Sequence, residues 1–454
     1  MSRIFAFILA LLPLLSAGQS KLIGTWHGEL NLGMQKLPLV IHLEDSGSEV
    51  AATLDSPLQG AKGIPAKAAI NGDSLKVEVA MLMASYEGVF REGTVEGKFK
   101  QQGYSFTLNL VAGDYIPPRP QTPKEPFIYA TEEVEFVNPT DSAVLSGTLT
   151  HPVKLSIAKA KNVPVVVMVT GSGLQNRDEE IAGHKPFAVL AHHLALKGIA
   201  SLRYDDRGFG KSTGDTEHAT PETFASDARA AIDMLGKNKE FGPVGILGHS
   251  EGGTIAMMIA SEGKADFAVS LAGTMLPGDS VLIDQNVRIL KASGLDSETS
   301  DEYGTALGRL FDYMKKNPAS KQWEGMEHAV ADLSHLVSEM KGNLQEIIKQ
   351  RNSWMEHFLT YNPVAAIRQC RVPVMALNGE LDCQVNHEAN LNAVGRNLPE
   401  NAKSVIKSYP GLNHLFQHAQ TGLVNEYGAI EETISLEVIN DIINWILAID
   451  KKNF

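Results

Sequence analysis

"VGILGHSEGGTIAMMIA", residues Val244 to Ala260, sets Gly248, Ser250 and Gly252 between two apolar runs. A serine that must project from a strand-to-helix turn holds a sparsely populated backbone conformation, at a cost of ~1–3 kcal/mol. Its neighbours two positions away on either side must then lack bulk, and Gly248 and Gly252 meet that need. A bare G-x-S-x-G recurs by chance in a glycine-rich chain, so its surroundings carry the weight. A buried-strand pattern runs directly into Ser250 and a helical pattern starts near Glu251, which is the context the motif requires. The helix would also aim its first N–H groups at any negative charge forming beside the serine. Ser250 is therefore the candidate nucleophile.

Working outward, the strand-like runs "VPVVVMVTG", "IASLRYDD", "PVGILGHS" and "FAVSLAG" alternate with helical runs such as "KPFAVLAHHLALKG" and "PETFASDARAAIDMLG". Continuous β-branched strands between amphipathic helices indicate an α/β core, a mostly parallel sheet with helices on both faces. From Asp279 to about Pro363 the pattern breaks into charged, helical sequence with Met, Leu, Trp323 and Trp354, and no strand candidate. It resumes with "VPVMALNGELD" and "KSVIKSYPG". One core with a helical cap inserted at about 279–363 is the simplest account, because so long a bare loop would be unusual.

A serine hydroxyl is a poor nucleophile alone and needs a base oriented by an acid. In this fold class both follow the serine in chain order, on loops at the ends of later strands. "VMALNGELDCQV" delivers Asp382 and "VIKSYPGLNHLF" delivers His414. Glu380, two residues before Asp382 in the same turn, Asp205 and Asp206 are the competing acids. His418 follows His414 by four, but "HLFQH" lacks the glutamate of a zinc-protease helix and any third ligand nearby, so it is read as a surface or packing residue. His192 and His193, adjacent on one predicted helix, point apart and make no site. No metal and no cofactor is expected.

The oxyanion of acyl transfer needs two fixed N–H donors. One is expected from the backbone of Glu251, and the other from the loop "TGSGLQNRDE", where Ser172 and Gly173 both remain candidates. That loop has no phosphate-binding G-x-x-x-x-G-K-[ST] spacing. In "LRYDDRGFGKSTG", Asp205, Asp206 and Arg207 are read as holding loops together through hydrogen bonds and ion pairs.

Residues 21–113 read differently, as short alternating strands such as "GTWHGEL", "LPLVIHLE" and "TVEGKFK" separated by "DSGS", "NGD" and "REG". This predicts a separate N-terminal all-β domain with a structural or dimerisation role, substrate binding by stacking of Trp26 and Tyr104 on a sugar being the alternative; a homodimer is among the assemblies the chain allows. Residues 114–130 are proline-rich and predict a stiff linker, followed by the α/β domain over 131–454.

Residues 1–20 have Arg3, an apolar run from Ile4 to Leu15 and then small residues, the pattern of a cleaved signal peptide. Export to the periplasm or the outside is the expectation, with no stable membrane anchor afterwards. Cys370 and Cys383 flank one predicted strand and should lie beyond disulfide reach. With 40 Lys and Arg against 53 Asp and Glu, the net charge of −13 would repel nucleic acid.

Taken together, "TGSGLQNRD", "LRYDDRGFGKSTG", "GHSEGG", "VMALNGELDCQV" and "YPGLNHLF" resemble the α/β-hydrolase superfamily, in a branch of exported bacterial serine esterases with a β-rich N-terminal region and a helical cap. The resemblance covers about Thr131 to the C-terminus. It implies Ser250 as nucleophile, His414 as base, Asp382 as acid, and oxyanion donors at Glu251 and in the loop from Gly171. Thr170 and Gly171 stand where many relatives carry His-Gly. The implied activity is hydrolysis of a small-molecule or acylated-carbohydrate ester, with a serine exopeptidase acting on short peptides as the alternative.

Overall fold

The computed structural model describes residues 20–33, 36–47, 50–59, 61–152, 162–318 and 338–450. The apolar leader up to residue 19 and Trp323 lie outside the described residues. The chain forms two compact units that divide between Pro117 and Pro118.

The first unit is a closed barrel of eight strands in sequential order: β1 (Gly24–Asn31), β2 (Lys36–Asp45), β3 (Val50–Ser56), β4 (Ala61–Asn71), β5 (Ser74–Val79), β6 (Ala84–Arg91), β7 (Thr94–Gln101) and β8 (Tyr104–Ala112). Antiparallel pairing of Trp26 with Ala112 and of His27 with Val111 closes it, leaving no free sheet edge. Alternate residues point inward, so Ile41, Leu54, Val77, Tyr86, Val95 and Leu108 fill the interior. Trp26 belongs to this core and donates its indole N–H to the Leu22 carbonyl at 2.8 Å, whereas Tyr104 is exposed. Strand β4 has no counterpart among the strands read from the sequence. Its "AKGIPAKAAIN" carries glycine, proline and alanine around only two β-branched residues, Ile64 and Ile70, and pairing with β3 and β5 holds it extended.

The second unit carries β9 (Ala130–Val137), β10 (Val144–His151), β11 (Val163–Val169), α1 (Pro186–Leu196), β12 (Ala200–Tyr204), α2 (Pro221–Gly236), β13 (Phe241–His249), α3 (Glu251–Ser261) and β14 (Phe267–Leu271). After these come α4 (Gly278–Ala292), α5 (Ser297–Lys316), α6 (Ser338–Lys349), α7 (Ser353–Thr360), α8 (Val364–Gln369), β15 (Val374–Gly379), α9 (His387–Asn397), β16 (Val405–Tyr409) and α10 (Leu436–Asp450). Its eight strands run β16-β15-β14-β13-β11-β12-β10-β9. β10 is antiparallel to β9 and β12, and the other neighbours are parallel.

Both faces of this sheet are covered, which explains the unbroken apolar strands. Along β11, Val163, Val165, Val167 and Val169 face α2, α3, α8 and α9, while Val166 and Met168 face α1 and α10. This is the α/β-hydrolase core. Between β14 and β15 the described insertion is helical, and Tyr303, Leu307, Leu310 and Phe311 of α5 pack on Leu344, Ile348 and Leu359 as a core of their own. Met314 and Met340 belong to that cap core.

The proline-rich segment is shared between the units. From Pro118 onward it is fastened to the second: the Arg119 guanidinium donates to the carbonyls of Ala182, Gly428 and Ile430, and the Gln121 amide to that of Ile434. Cys370 and Cys383 are both free and buried.

Candidate active site

β13 passes into α3 through Ser250, whose backbone sits at φ 54° and ψ −117°. Its N–H donates to the Leu271 carbonyl at 2.8 Å, which ties the turn to the end of β14. A Cβ on Gly248 would stand 1.8 Å from the Gly252 carbonyl oxygen, and one on Gly252 would stand 2.2 Å from that of Val169. Both glycines are thus demanded by close backbone approach on either side of the serine.

Asp382 lies just past β15 and His414 just past β16, each at the C-terminal end of its strand. Asp382 Oδ2 lies 2.7 Å from His414 Nδ1, and both residues are buried. The other carboxylate oxygen accepts the N–H groups of Gln384 and Val385, each at 2.8 Å, which fixes the plane of the acid. Nδ1 of the ring is committed to Asp382, so Nε2 is the atom left for proton transfer. Glu380 accepts the Ser408 hydroxyl instead.

Ser250 and His414 open onto one cavity of about 330 Å3. Val281, Leu282, Trp354 and Phe358 of the cap line it, opposite Val385 and Leu415 of the core. Its polar lining includes Gln175, Gln285, Gln384 and Tyr427.

The loop after β11 is held from below. Asp206 accepts the Thr170 hydroxyl at 2.8 Å and the Gln175 N–H at 2.8 Å. Burial pushes the Asp206 carboxyl up to about 8, against the pull of these hydrogen bonds. Asp205 takes a two-point contact from the Arg177 guanidinium, at 3.1 and 2.7 Å. Arg207 is buried against Asp227 and reaches Asp141. These three residues hold loops in place, as their sequence context suggested. The Gly171 N–H is spent on Glu179 at 3.0 Å. Ser172 then lines the cavity that holds Ser250, and Gly173 lines a small cavity behind it together with Asp206 and Glu251.

Sequence reasoning valued Glu251 for its backbone N–H only. In the structure its buried side chain also accepts the Trp354 indole N–H, at 2.9 and 3.0 Å to the two oxygens, and a hydrogen bond from Ser172. Burial raises this carboxyl above its ordinary range, and the two hydrogen bonds moderate the rise. Glu179 and His249 were missed altogether. Their Oε1 and Nδ1 lie 2.9 Å apart beneath the serine. Only the local "GHSEGG" could have hinted at His249, and nothing local marks Glu179.

His418 is exposed and pairs with Glu432. His192 meets the Tyr129 hydroxyl at 3.0 Å, and neither it nor His193 lines the cavity. Among the described residues no group of three or more His, Cys, Asp or Glu is placed to hold a metal ion.

Residues 184–419, more than half of the chain and a span that includes Ser250, Asp382 and His414, match the family described as serine aminopeptidase, S33. Over 212 residues the chain is 32% identical to esterase EstD of Thermotoga maritima, a stretch that is 46% of each protein. It therefore spans about half the length of that curated relative. Among solved structures it is similar to Est1E from Butyrivibrio proteoclasticus, seen with ferulic acid, at a TM-score of 0.41 and 16% identity, covering 69% of this chain and 98% of that one. It is also similar to esterase Pf2001 of Pyrococcus furiosus, at a TM-score of 0.42 and 14% identity, covering 74% and 99%. The extent of the family match, laid over a mixed sheet with helices on both faces, makes this chain a member of the serine aminopeptidase S33 family of α/β-hydrolases.

Proposed function

We propose that the protein is a serine carboxylic-ester hydrolase that works through an acyl-enzyme, with Ser250 as nucleophile, His414 as base and Asp382 as acid. One observation carries the reading: His414, held by the buried Asp382, and the strained Ser250 turn line a single cavity.

His414 Nε2 takes the proton from Ser250 Oγ as that oxygen bonds to the ester carbonyl carbon. The Glu251 N–H at the start of α3 and the Ser172 N–H stabilise the resulting oxyanion. Collapse breaks the bond to the alcohol oxygen, which leaves with the proton held by His414. Water then gives a proton to His414 and adds to the acyl carbon, and Ser250 departs with that proton, freeing the acid.

The aliphatic and aromatic walls suit an uncharged acyl or alcohol group, such as a small-molecule or acylated-carbohydrate ester. The apolar leader supports export to the periplasm or beyond. Hydrolysis of p-nitrophenyl esters from acetate to decanoate by the mature chain, with Ser250→Ala as control, tests the assignment. Ser250-dependent turnover is the expected result. Equal turnover by Ser250→Ala would remove Ser250 from the mechanism.

The family's description keeps an exopeptidase acting on short peptides as the second reading. Faster cleavage of aminoacyl p-nitroanilides than of any simple ester would favour it.

A further inference from the structure

Glu179, His249 and His414 form a continuous buried chain behind the serine. Glu179 Oε1 lies 2.9 Å from His249 Nδ1 and also accepts the Gly171 N–H at 3.0 Å. At the other end of the ring, His249 Nε2 lies 3.0 Å from the backbone oxygen of His414. The two imidazole rings are 4.6 Å apart, centroid to centroid.

Hydrogen-bond inventory sets the protonation. A carbonyl oxygen can only accept, so His249 Nε2 carries a proton. A carboxylate oxygen that already receives a backbone N–H acts as an acceptor toward Nδ1 as well, so that nitrogen carries the second proton. Burial alone would favour the neutral ring, but the charge and hydrogen bond of Glu179 and the His414 carbonyl hold the imidazolium above the usual histidine range. The groups facing His249 are Glu179, His414 and, more remotely, Asp382, with Asp206 beyond Glu179.

We propose that Glu179 and His249 are positioning residues: a buried carboxylate–imidazolium pair that locks the oxyanion loop at Gly171 to the backbone of the catalytic histidine and sets a fixed positive charge beside its ring. The proposal rests on the esterase reading above. The cation lies at the His414 end of the pair and the anion at the far end. A positive charge arriving on the His414 ring during proton transfer would face that cation across 4.6 Å, centroid to centroid. The pair also ties the two halves of the machinery, one after β11 and one after β16, into a single rigid block.

The test combines kinetics with histidine nitrogen resonance. For Glu179→Gln we expect kcat to fall on the order of tenfold to a hundredfold, as for a misaligned catalytic group, with KM nearly unchanged. Without its carboxylate partner the buried His249 ring loses its second proton, so the positive charge beside His414 goes and the acid limb of kcat/KM should move upward by about half a pH unit or more. Glu179→Asp should recover part of the rate and return the limb toward the wild-type position. A merely structural residue would change stability and leave the limb in place. In the wild type near neutral pH, 15N-labelled histidine should show a ring with both nitrogens protonated and exchanging slowly, and it should disappear in His249→Gln.

An unmoved acid limb in a folded Glu179→Gln protein would overturn the proposal. So would the lack of a slowly exchanging imidazolium in the wild type, a result that needs no variant to fold. Loss of the esterase reading itself would look different: the wild type would then show no Ser250-dependent ester hydrolysis at any pH.

Discussion

The indole N–H of Trp354 donates to the carboxylate of Glu251 at 2.9 Å, so a helix of the cap is tied to the residue that follows Ser250. Trp354 also stacks on Phe358, centroid to centroid at 4.9 Å, and both rings line the cavity. The bond holds α7 over the site and fixes the face that the cap presents to substrate.

Trp354→Phe removes that donor and leaves a buried carboxyl with Ser172 as its remaining named partner. A loss of ~1–3 kcal/mol is expected, the usual penalty for stranding a buried polar group. Urea unfolding measures it. KM for p-nitrophenyl esters should rise more than kcat falls, because the wall moves while the triad does not. A double cycle with Glu251→Gln should show strong coupling between the two positions.

The serine turn stores strain at φ 54°, where glycine is at ease and alanine is not. Ser250→Gly should therefore be more stable than Ser250→Ala by about 1 kcal/mol, with both inactive. Thermal unfolding of the pair checks this. Gly248→Ala should instead lose at least ~3 kcal/mol or fail to fold, because its Cβ would meet the Gly252 backbone.

Asp206 makes stability depend on pH. A carboxyl whose folded pKa is raised from 3.8 to about 8 contributes stability that is fully present below pH 3.8 and is lost as the pH rises through about 8. Asp206→Asn cannot ionise. Its stability relative to the wild type should climb across that window and level off above it. Urea midpoints at pH 5, 7 and 9 decide the matter, and a difference between variant and wild type that stays constant across that range would show Asp206 ionised in the folded protein.

Arg207 and Asp227 form an ion pair with both side chains buried. Arg207→Ala should cost ~3–5 kcal/mol because it leaves the buried Asp227 without its cation, with the Asn138 amide as a neutral donor in its place. Adding Asp227→Ala should return part of that loss, and the two single losses should sum to more than the double variant shows.

Local pattern was enough for the turn around Ser250, since strand, glycines and helix are contiguous and each acts through its own backbone preference. That Ser250, Asp382 and His414 gather at one end of the sheet was legible for a related reason: each follows its own apolar strand, and parallel strands end on the same side of a sheet. The choice of Asp382 over Glu380 was legible as a preference from position within one turn, and the structure gives the geometry of each. Barrel strand β4 was illegible because its residues have weak intrinsic strand preference and are kept extended by their neighbours. Glu179 and His249 are 70 positions apart, and Glu251 and Trp354 are 103 apart. No periodicity carries a contact across such a distance. The amino-acid sequence alone determined the α/β core and the helical stretch between its strands, and it singled out the three side chains proposed for the chemistry, because these follow from local backbone physics. Tertiary structure alone decided which buried carboxyl meets which imidazole or indole, because those bonds form only where separate loops converge and water is excluded.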